Sequence, residues 1–383
     1  MRRKMKGIRR FFLVIYIPVL LLYLLASFTM YVHPENWWPS GFLPLMHPFL
    51  LLLVILLTIL SISVRFRYVW LGVAALGLSY PSVSNTLPLS IPGSFVQEKE
   101  NGTIRVMSWN IRRFTPYYLN YFDPEKNNVD GMLEEIRRYD PDVLCLQEFY
   151  TSKRPNGRTM EKIRSLGYPY MAFARHRYFR ELTIEEGNII FSKYPILSWH
   201  GFEDARRMSE GWDEPVFADI LTGKDTIRIG AFHMESYGFV QRDYEDLAKI
   251  RNQEDEDLRA SRHIFGKMRY AFQRRGKQAD LISGKVGESP FPVILCGDLN
   301  DVPASYSYRI VKGALDDAFL EKGAGLGKTF VSGRSRLLTW LPTLRIDYIF
   351  TDRRLPVHQF TRTTGGLSDH RGLVADIELP KKQ

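Results

Sequence analysis

Apolar and polar positions divide this chain into two unlike parts. Residues 11–32 and 43–64 are uncharged and strongly apolar. Each run is long enough to cross about 30 Å of hydrocarbon as a helix. A third apolar stretch, 68–83, is shorter and richer in Gly and Ser, so it is expected either to span or to lie in the interface. A signal peptide has a shorter apolar core and a clear small-residue cleavage site, so the first run reads as a retained span. From residue 102 the period changes. Residues 103–109 alternate polar and apolar, as a strand does, and Asn110 follows at the end. Val129, Met132, Leu133 and Ile136 recur at helical spacing until Asp140-Pro141 stops them. Residues 143–146 and 292–296 are short continuous apolar runs, the pattern of strands buried on both faces. Further strands are predicted over 187–192, 216–221, 226–232, 345–350 and 372–377, with a turn at 222–225. Residues 239–282 are charged, lack strand alternation and read as one or two helices.

The division into segments follows. Residues 1–84 form a membrane region. Residues 81–101 carry three prolines with scattered Ser, Asn and Gly, which places a linker over 85–101. Residues 102–383 form the soluble domain. Its strands outnumber its helices, and two sheets packed face to face with helices outside would bury that many apolar strands.

Charge sharpens the division. The first hundred residues hold nine Lys/Arg against Glu35, Glu98 and Glu100, so most of the formal +10 excess belongs to the membrane end. That weakens the argument for nucleic acid that the basic balance would otherwise carry. Six Lys/Arg lie within residues 1–10, and Arg65 and Arg67 separate the second and third apolar stretches. The positive-inside rule puts both clusters in the cytoplasm. Three spans would then leave the domain outside, in the periplasm of a Gram-negative cell, and two would leave it in the cytoplasm. Trp37-Trp38 suit an interfacial belt. Cys145 and Cys296 lie within apolar runs and read as small buried hydrophobes.

The candidate chemistry sits where the strands end: Asn110, Glu148, His233, Asp298 with Asn300, Asp347, and Asp369-His370. A mouth rich in oxygen ligands with two histidines suits a hard divalent cation and a phosphate ester. Each residue alone has a plainer reading, as a solvated strand-end charge or a structural histidine.

In this order, Val106-Met107-Ser108-Trp109-Asn110, Pro141–Glu148, Gly187–Ser192, His233, Val293–Asn300, Ile346–Phe350 and Ser368-Asp369-His370 resemble the endonuclease/exonuclease/phosphatase superfamily. The resemblance spans residues 103–379. It implies a four-layered α/β sandwich of two packed, mainly antiparallel sheets, and a phosphoesterase that uses Mg²⁺ or Mn²⁺. It implies that Glu148 is the main metal carboxylate with Asn110 beside it, and that Asp369 is a metal or phosphate-pocket ligand. It also implies that Asp298 and Asn300 orient water and phosphate, and that His370 is a general base held by Asp347. His233 matches a position that is His in DNase I-like and sphingomyelinase-like members and Tyr in abasic-site enzymes. The expected substrate is a phosphodiester, either a lipid head group, favoured by the membrane anchor, or a nucleic acid cut by an exported nuclease. A non-catalytic binding module is the remaining alternative. Residues 175–180, basic with interleaved aromatics, read as a surface loop.

Overall fold

The computed structural model describes residues 2–88, 90, 93–115, 127–153, 158–179, 184–202, 213–240, 242–244, 246, 258–331 and 343–380. The N-terminal part is helical. α1 (Arg2–Phe28) and α2 (Leu43–Val64) are both long and apolar enough to cross a membrane. After a short turn, α3 (Val69–Leu78) and α4 (Tyr80–Thr86) continue the third apolar stretch, broken at Ser79. The linker therefore begins later than its first proline suggests, because Pro81 sits in the first turn of α4, where its missing N–H costs no hydrogen bond. Polar contacts join the three segments. Tyr16 bonds Thr58 at 2.9 Å, Tyr23 bonds Ser79, and His47 bonds Ser82 at 2.9 Å and Thr86 at 3.3 Å. In an apolar medium such bonds hold helices together where hydrophobicity cannot.

The soluble domain begins with β1 (Thr103–Asn110), α5 (Val129–Tyr139) and β2 (Val143–Ser152). α6 (Thr159–Arg164), β3 (Tyr170–Phe179), β4 (Ile184–Ser192) and β5 (Ile196–His200) follow. Next come β6 (Val216–Thr222), β7 (Asp225–His233), α7 (Leu258–Gly287) and β8 (Val293–Asp298). The chain closes with α8 (Tyr306–Lys312), β9 (Asp316–Asp317), α9 (Ala318–Lys322), β10 (Asp347–Thr351), β11 (Val357–Arg362) and β12 (Leu373–Glu378). One six-stranded sheet runs β11-β12-β1-β2-β4-β3 and the other β5-β6-β7-β8-β10-β9. Each is mainly antiparallel with one parallel pair, β1·β2 and β7·β8.

The layers follow from alternation. Ile104, Val106, Val143 and Cys145 of one sheet meet Ile229, Ile294 and Cys296 of the other in a central core. Met107, Trp109, Leu144 and Leu146 point outward and are covered by Met132, Leu133 and Ile136 of α5. Leu295, Phe217 and Phe232 are covered on the far side by Ala279 and Ile282 of α7 and Tyr308 of α8. Central strands are thus buried on both faces, which is why their sequences read as unbroken apolar runs. Cys145 and Cys296 are free and buried, as expected.

Two readings are corrected. Residues 175–179 are not a loop but part of β3, at the edge of the first sheet; Arg180 lies outside the described residues. Cationic and aromatic residues obscured the strand because an edge strand needs no apolar run. The one or two helices read over 239–282 extend further: residues 242–244 and 246 are helical, and α7 runs from Leu258 on to Gly287.

The two parts touch. The α1–α2 connection lies against α7 and α8: Phe42 packs on Phe272 (4.8 Å) and Phe265 (5.4 Å), and His33 meets Tyr306 edge-on at 4.8 Å. Arg309 donates to the carbonyl of Met30 at 2.8 Å, and Lys277 pairs with Glu35 at 2.7 Å. A Cβ on Gly41 would lie 2.2 Å from Phe272, and one on Gly276 would lie 2.9 Å from His33, so glycine sets the closeness of this contact.

Candidate active site

Strand register assembles the site. In the second sheet His233 is opposite Asp298 across β7·β8, and Asp347 is opposite Asp298 across β10·β8. Three chemistry-bearing residues therefore reach one sheet end. In the first sheet Asn110 ends β1 opposite Gln147 of β2, and Glu148 follows. The β2·β4 register slips between Leu146 and Phe149, so β2 carries one extra residue. Glu148 occupies this bulge with φ 49°, a left-handed conformation that costs an L residue roughly 1–2 kcal/mol. Without the bulge its side chain would follow the regular alternation of the strand. Asn300, just after β8, is left-handed as well, at φ 51°.

Asn110 links the sheets. Its Nδ2 donates to Glu148 Oε1 at 3.2 Å and to Asp298 Oδ2 at 3.1 Å, while its Oδ1 accepts from the Arg112 N–H at 3.0 Å. It stands between the two carboxylates as a donor. Asp298 is also held by the Asn300 N–H, which donates to Oδ1 at 2.7 Å.

His370 reaches the hollow from the last loop. Ser368 Oγ donates to the Asn110 carbonyl at 2.9 Å, and Trp109 Nε1 donates to the His370 carbonyl at 3.0 Å, so β1 fixes that loop twice. His370 Nδ1 lies 3.0 Å from both oxygens of Asp347 and 3.7 Å from Asp298 Oδ2. Asp347 thus engages Nδ1, while Nε2 is left on the other edge of the ring.

His233 is oriented from behind by Asp213, whose carboxylate bonds Nδ1. Its Nε2 lies 3.1 Å from the Asn300 side-chain amide, 3.7 Å from Asp298 Oδ2 and 3.9 Å from Glu148 Oε1. Asn188 Nδ2 donates to the carbonyls of Asp213 (3.2 Å) and Glu214 (3.0 Å), so the amide in β4 anchors the segment that carries this carboxylate. Asp369 sits beside the cluster, with Oδ2 3.3 Å from Arg112 Nε and Oδ1 4.0 Å from His370 Nε2.

Burial and crowding shape the electrostatics. Burial, reinforced by the neighbouring Asp347 charge, pushes the Asp298 carboxyl up to about 6. Burial alone would lower both imidazoles, but the carboxylates overcome it. Asp347 and Asp298 raise His370 to about 10, and Asp213, Asp298 and Glu148 raise His233 to about 10. The hollow therefore carries an excess of negative charge. Donor atoms of Asp298, Asp347 and His370 lie within 4.8 Å of one another, with Glu148 reached through Asn110. This oxygen-rich, acidic donor set fits a hard divalent cation.

All eight residues singled out from the sequence lie in or beside this hollow. Four contributors were missed. In the sequence no apolar run leads into Asp213 to mark it. Arg112 and Arg113 follow Asn110 directly, yet nothing in their type foretells the left-handed turn, φ 47°, 54° and 60° over Arg112, Arg113 and Phe114, that presents them. Glu186 pairs with Arg113 at 2.6 Å.

A family model described as "Endonuclease/Exonuclease/phosphatase family" matches residues 107–370, and one described as a domain of unknown function matches residues 9–86. No curated protein matches the chain. Among solved structures, an endonuclease/exonuclease/phosphatase from Beutenbergia cavernae is similar, with TM-score 0.51 and 18% identity over 73% of this chain and 72% of that one. A family protein from Leptotrichia buccalis gives TM-score 0.48 and 17% identity, over 72% of this chain and 100% of that one. D. rerio TDP2 complexed with single strand DNA product gives TM-score 0.48 and 16% identity, over 73% of this chain and 100% of that one.

Proposed function

Since this chain belongs to the endonuclease/exonuclease/phosphatase family, whose members are phosphoesterases and nucleases, we propose that it is a membrane-anchored phosphodiesterase dependent on Mg²⁺ or Mn²⁺. The observation that carries this reading is the meeting of both sheets at Asn110, which joins Glu148 to Asp298 beside the Asp347–His370 pair.

Glu148 and Asp298 would hold the cation, and Asn110 would keep both carboxylates aimed. The cation would supply positive charge to a non-bridging phosphoryl oxygen and the leaving oxygen, and would draw the His370 pKa down toward neutrality. His370 Nε2 takes a proton from the attacking water, while Asp347 holds the other nitrogen and stabilises the imidazolium. His233, kept protonated by Asp213, and the Asn300 amide donate to phosphoryl oxygens as charge builds on them. Asp369, steadied by Arg112, borders the pocket next to His370.

We further propose three membrane spans, with the catalytic domain on the side opposite residues 1–10. Support comes from two places. Residues 66–86, taken as one broken helix, would measure roughly 31 Å at 1.5 Å per residue, which matches the hydrocarbon thickness. The α1–α2 connection touches the catalytic domain, and so does the end of α4, whose Asn85 carbonyl accepts from Arg345. Both ends of the α2–α4 excursion therefore emerge on the same side as the domain, and Arg65 and Arg67 lie between them on the other.

A lipid phosphodiester is favoured over a nucleic acid. Arg175 at the β3 edge is paired with Glu185 at 3.2 Å, which weakens a cationic track along that strand. The test uses full-length protein in nanodiscs with Mg²⁺ or Mn²⁺. It is presented with phospholipids, sphingomyelin, plasmid DNA, RNA and bis-p-nitrophenyl phosphate. Wild type should cleave the last and at least one natural phosphodiester, and His370→Ala should lose about 10²–10⁴-fold with the fold intact. Undiminished hydrolysis by His370→Ala would end its role as base.

A further inference from the structure

α7 has two stripes. Ile264, Ala271, Arg275, Ala279 and Ile282 are buried; Ala279 and Ile282 join the core of the catalytic domain, and Arg275 reaches the Glu235 carbonyl and Asp301. Phe265, Arg269, Phe272, Gly276 and Asp280 lie on another face at helical spacing, and that face carries the α1–α2 connection. Phe265 and Phe272 pack on Phe42, Arg269 lies over Trp38 at 5.9 Å, and His33 reaches Asp280 at 3.5 Å. Phe42 immediately precedes α2, whose Met46 and Phe49 are exposed. The exposed ring of Phe265 therefore lies next to side chains that leave the polar surface for hydrocarbon.

The apolar exposure continues on either side. Trp37, Trp38, Phe265 and Tyr270 are all more than a third exposed, and so is Val240 on the loop after β7. Residues 261–279 hold six Lys/Arg and no Asp or Glu; Arg275 is buried, and Lys267, Arg274 and Lys277 pair with Asp243, Glu235 and Glu35, so Arg262 and Arg269 are the exposed cations this face offers to an anionic surface. Exposed aromatics among cations are what an element lying at an anionic lipid surface presents. In water alone such clustered apolar exposure is a cost without a return.

We infer that the N-terminal half of α7, together with the Trp37–Phe42 turn and the loop bearing Val240, is a membrane-interface surface that rests among anionic phospholipid head groups. It rests on the reading that α1 and α2 are membrane-embedded. The same loop runs from the site to this surface in a few residues. His233 lines the hollow, the Met234 carbonyl accepts from Asn300 at 3.0 Å, and Tyr237 packs edge-on to Phe272 at 5.7 Å. One wall of the catalytic hollow is thereby continuous with the lipid surface, so a head group need not leave the bilayer far to reach it.

The experiment places an environment-sensitive probe on full-length protein in nanodiscs of phosphatidylethanolamine and phosphatidylglycerol. Phe265→Cys and, separately, Val240→Cys are labelled with NBD; Arg137→Cys on α5, across the sandwich, is the control. Probes at 265 and 240 should emit further to the blue than the one at 137. They should be quenched by shallow nitroxide lipids and shielded from aqueous iodide. Equal iodide quenching at all three positions, without lipid quenching, would overturn the inference. Shielding that appears only when a DNA duplex is added would assign the face to nucleic acid and overturn it as well. The readout needs no turnover, so His370→Ala carrying the same probes must give the same answer, and failure here is separable from failure of the phosphodiesterase reading.

Discussion

Asp298 meets both asparagines and both histidines of the site. Asn110 and the Asn300 N–H donate to it, and both histidines lie within 3.7 Å of its Oδ2. Its carboxyl is raised to about 6, so the folded state binds this proton more tightly than the unfolded chain does. The resulting stability is fully present below the ordinary carboxyl pKa and is lost as pH rises through about 6. A cation must displace that proton, so Mn²⁺ affinity, followed by calorimetry, should weaken about tenfold per pH unit below about 6. The histidines act in a second window. Both are raised to about 10, so their stabilising contribution is complete below the ordinary value of 6.5 and is lost as pH rises through about 10. In EDTA, the melting temperature of the protein should fall between pH 7 and 10, and Asp347→Asn should flatten part of that fall. In the presence of cation the same Asp347→Asn should lower turnover by about 10²–10⁴-fold, because Nδ1 loses the partner that fixes its proton.

At the scale of elements, conformation explains what pattern left open. Apolar runs revealed the central strands because both faces of each are covered. Edge strands β3, β5 and β11 escaped because a half-exposed strand has no such signature; β5 is mostly exposed along its length. The position of Glu148 after an apolar run was visible, but the bulge that frees it from strand alternation is a property of the β2·β4 register and could not be read from one strand. Gly297 lies within the Val293–Asn300 stretch, and the structure supplies the reason for glycine. A Cβ there would lie 2.2 Å from the Phe232 carbonyl, where the parallel strands β7 and β8 bring His233 beside Asp298. Gly297→Ala should therefore cost about 1–3 kcal/mol of domain stability, read by denaturant unfolding, and reduce hydrolysis more than stability by pushing those two residues apart. A wild-type midpoint in that variant would mean that the strands part without penalty.

For the whole molecule, the two-sheet domain was legible in the sequence; the two apolar helices that could cross a membrane were legible too, while the number of spans stayed open because the third stretch is weak by composition. Packing adds what composition lacks. The α1–α2 connection and the end of α4 meet the same domain, and Gly41 and Gly276 are shaped for that contact. An alkaline phosphatase fusion at the C-terminus should be active and a green fluorescent protein fusion dark; the reverse pair would place the domain with residues 1–10. Gly276→Leu, which fills the space beside His33 and Pro34, should loosen the domain from its anchor and raise protease sensitivity in the 29–42 connection while leaving hydrolysis of a soluble ester nearly unchanged.

The most direct measurement is the cation dependence of bis-p-nitrophenyl phosphate hydrolysis by the full-length protein, for wild type and for Glu148→Gln. The account predicts that EDTA abolishes wild-type turnover, that Mg²⁺ or Mn²⁺ restores it with saturation, and that Glu148→Gln needs far more cation for far less activity. Turnover that survives EDTA, or a Glu148→Gln protein that responds to cation as wild type does, would contradict it.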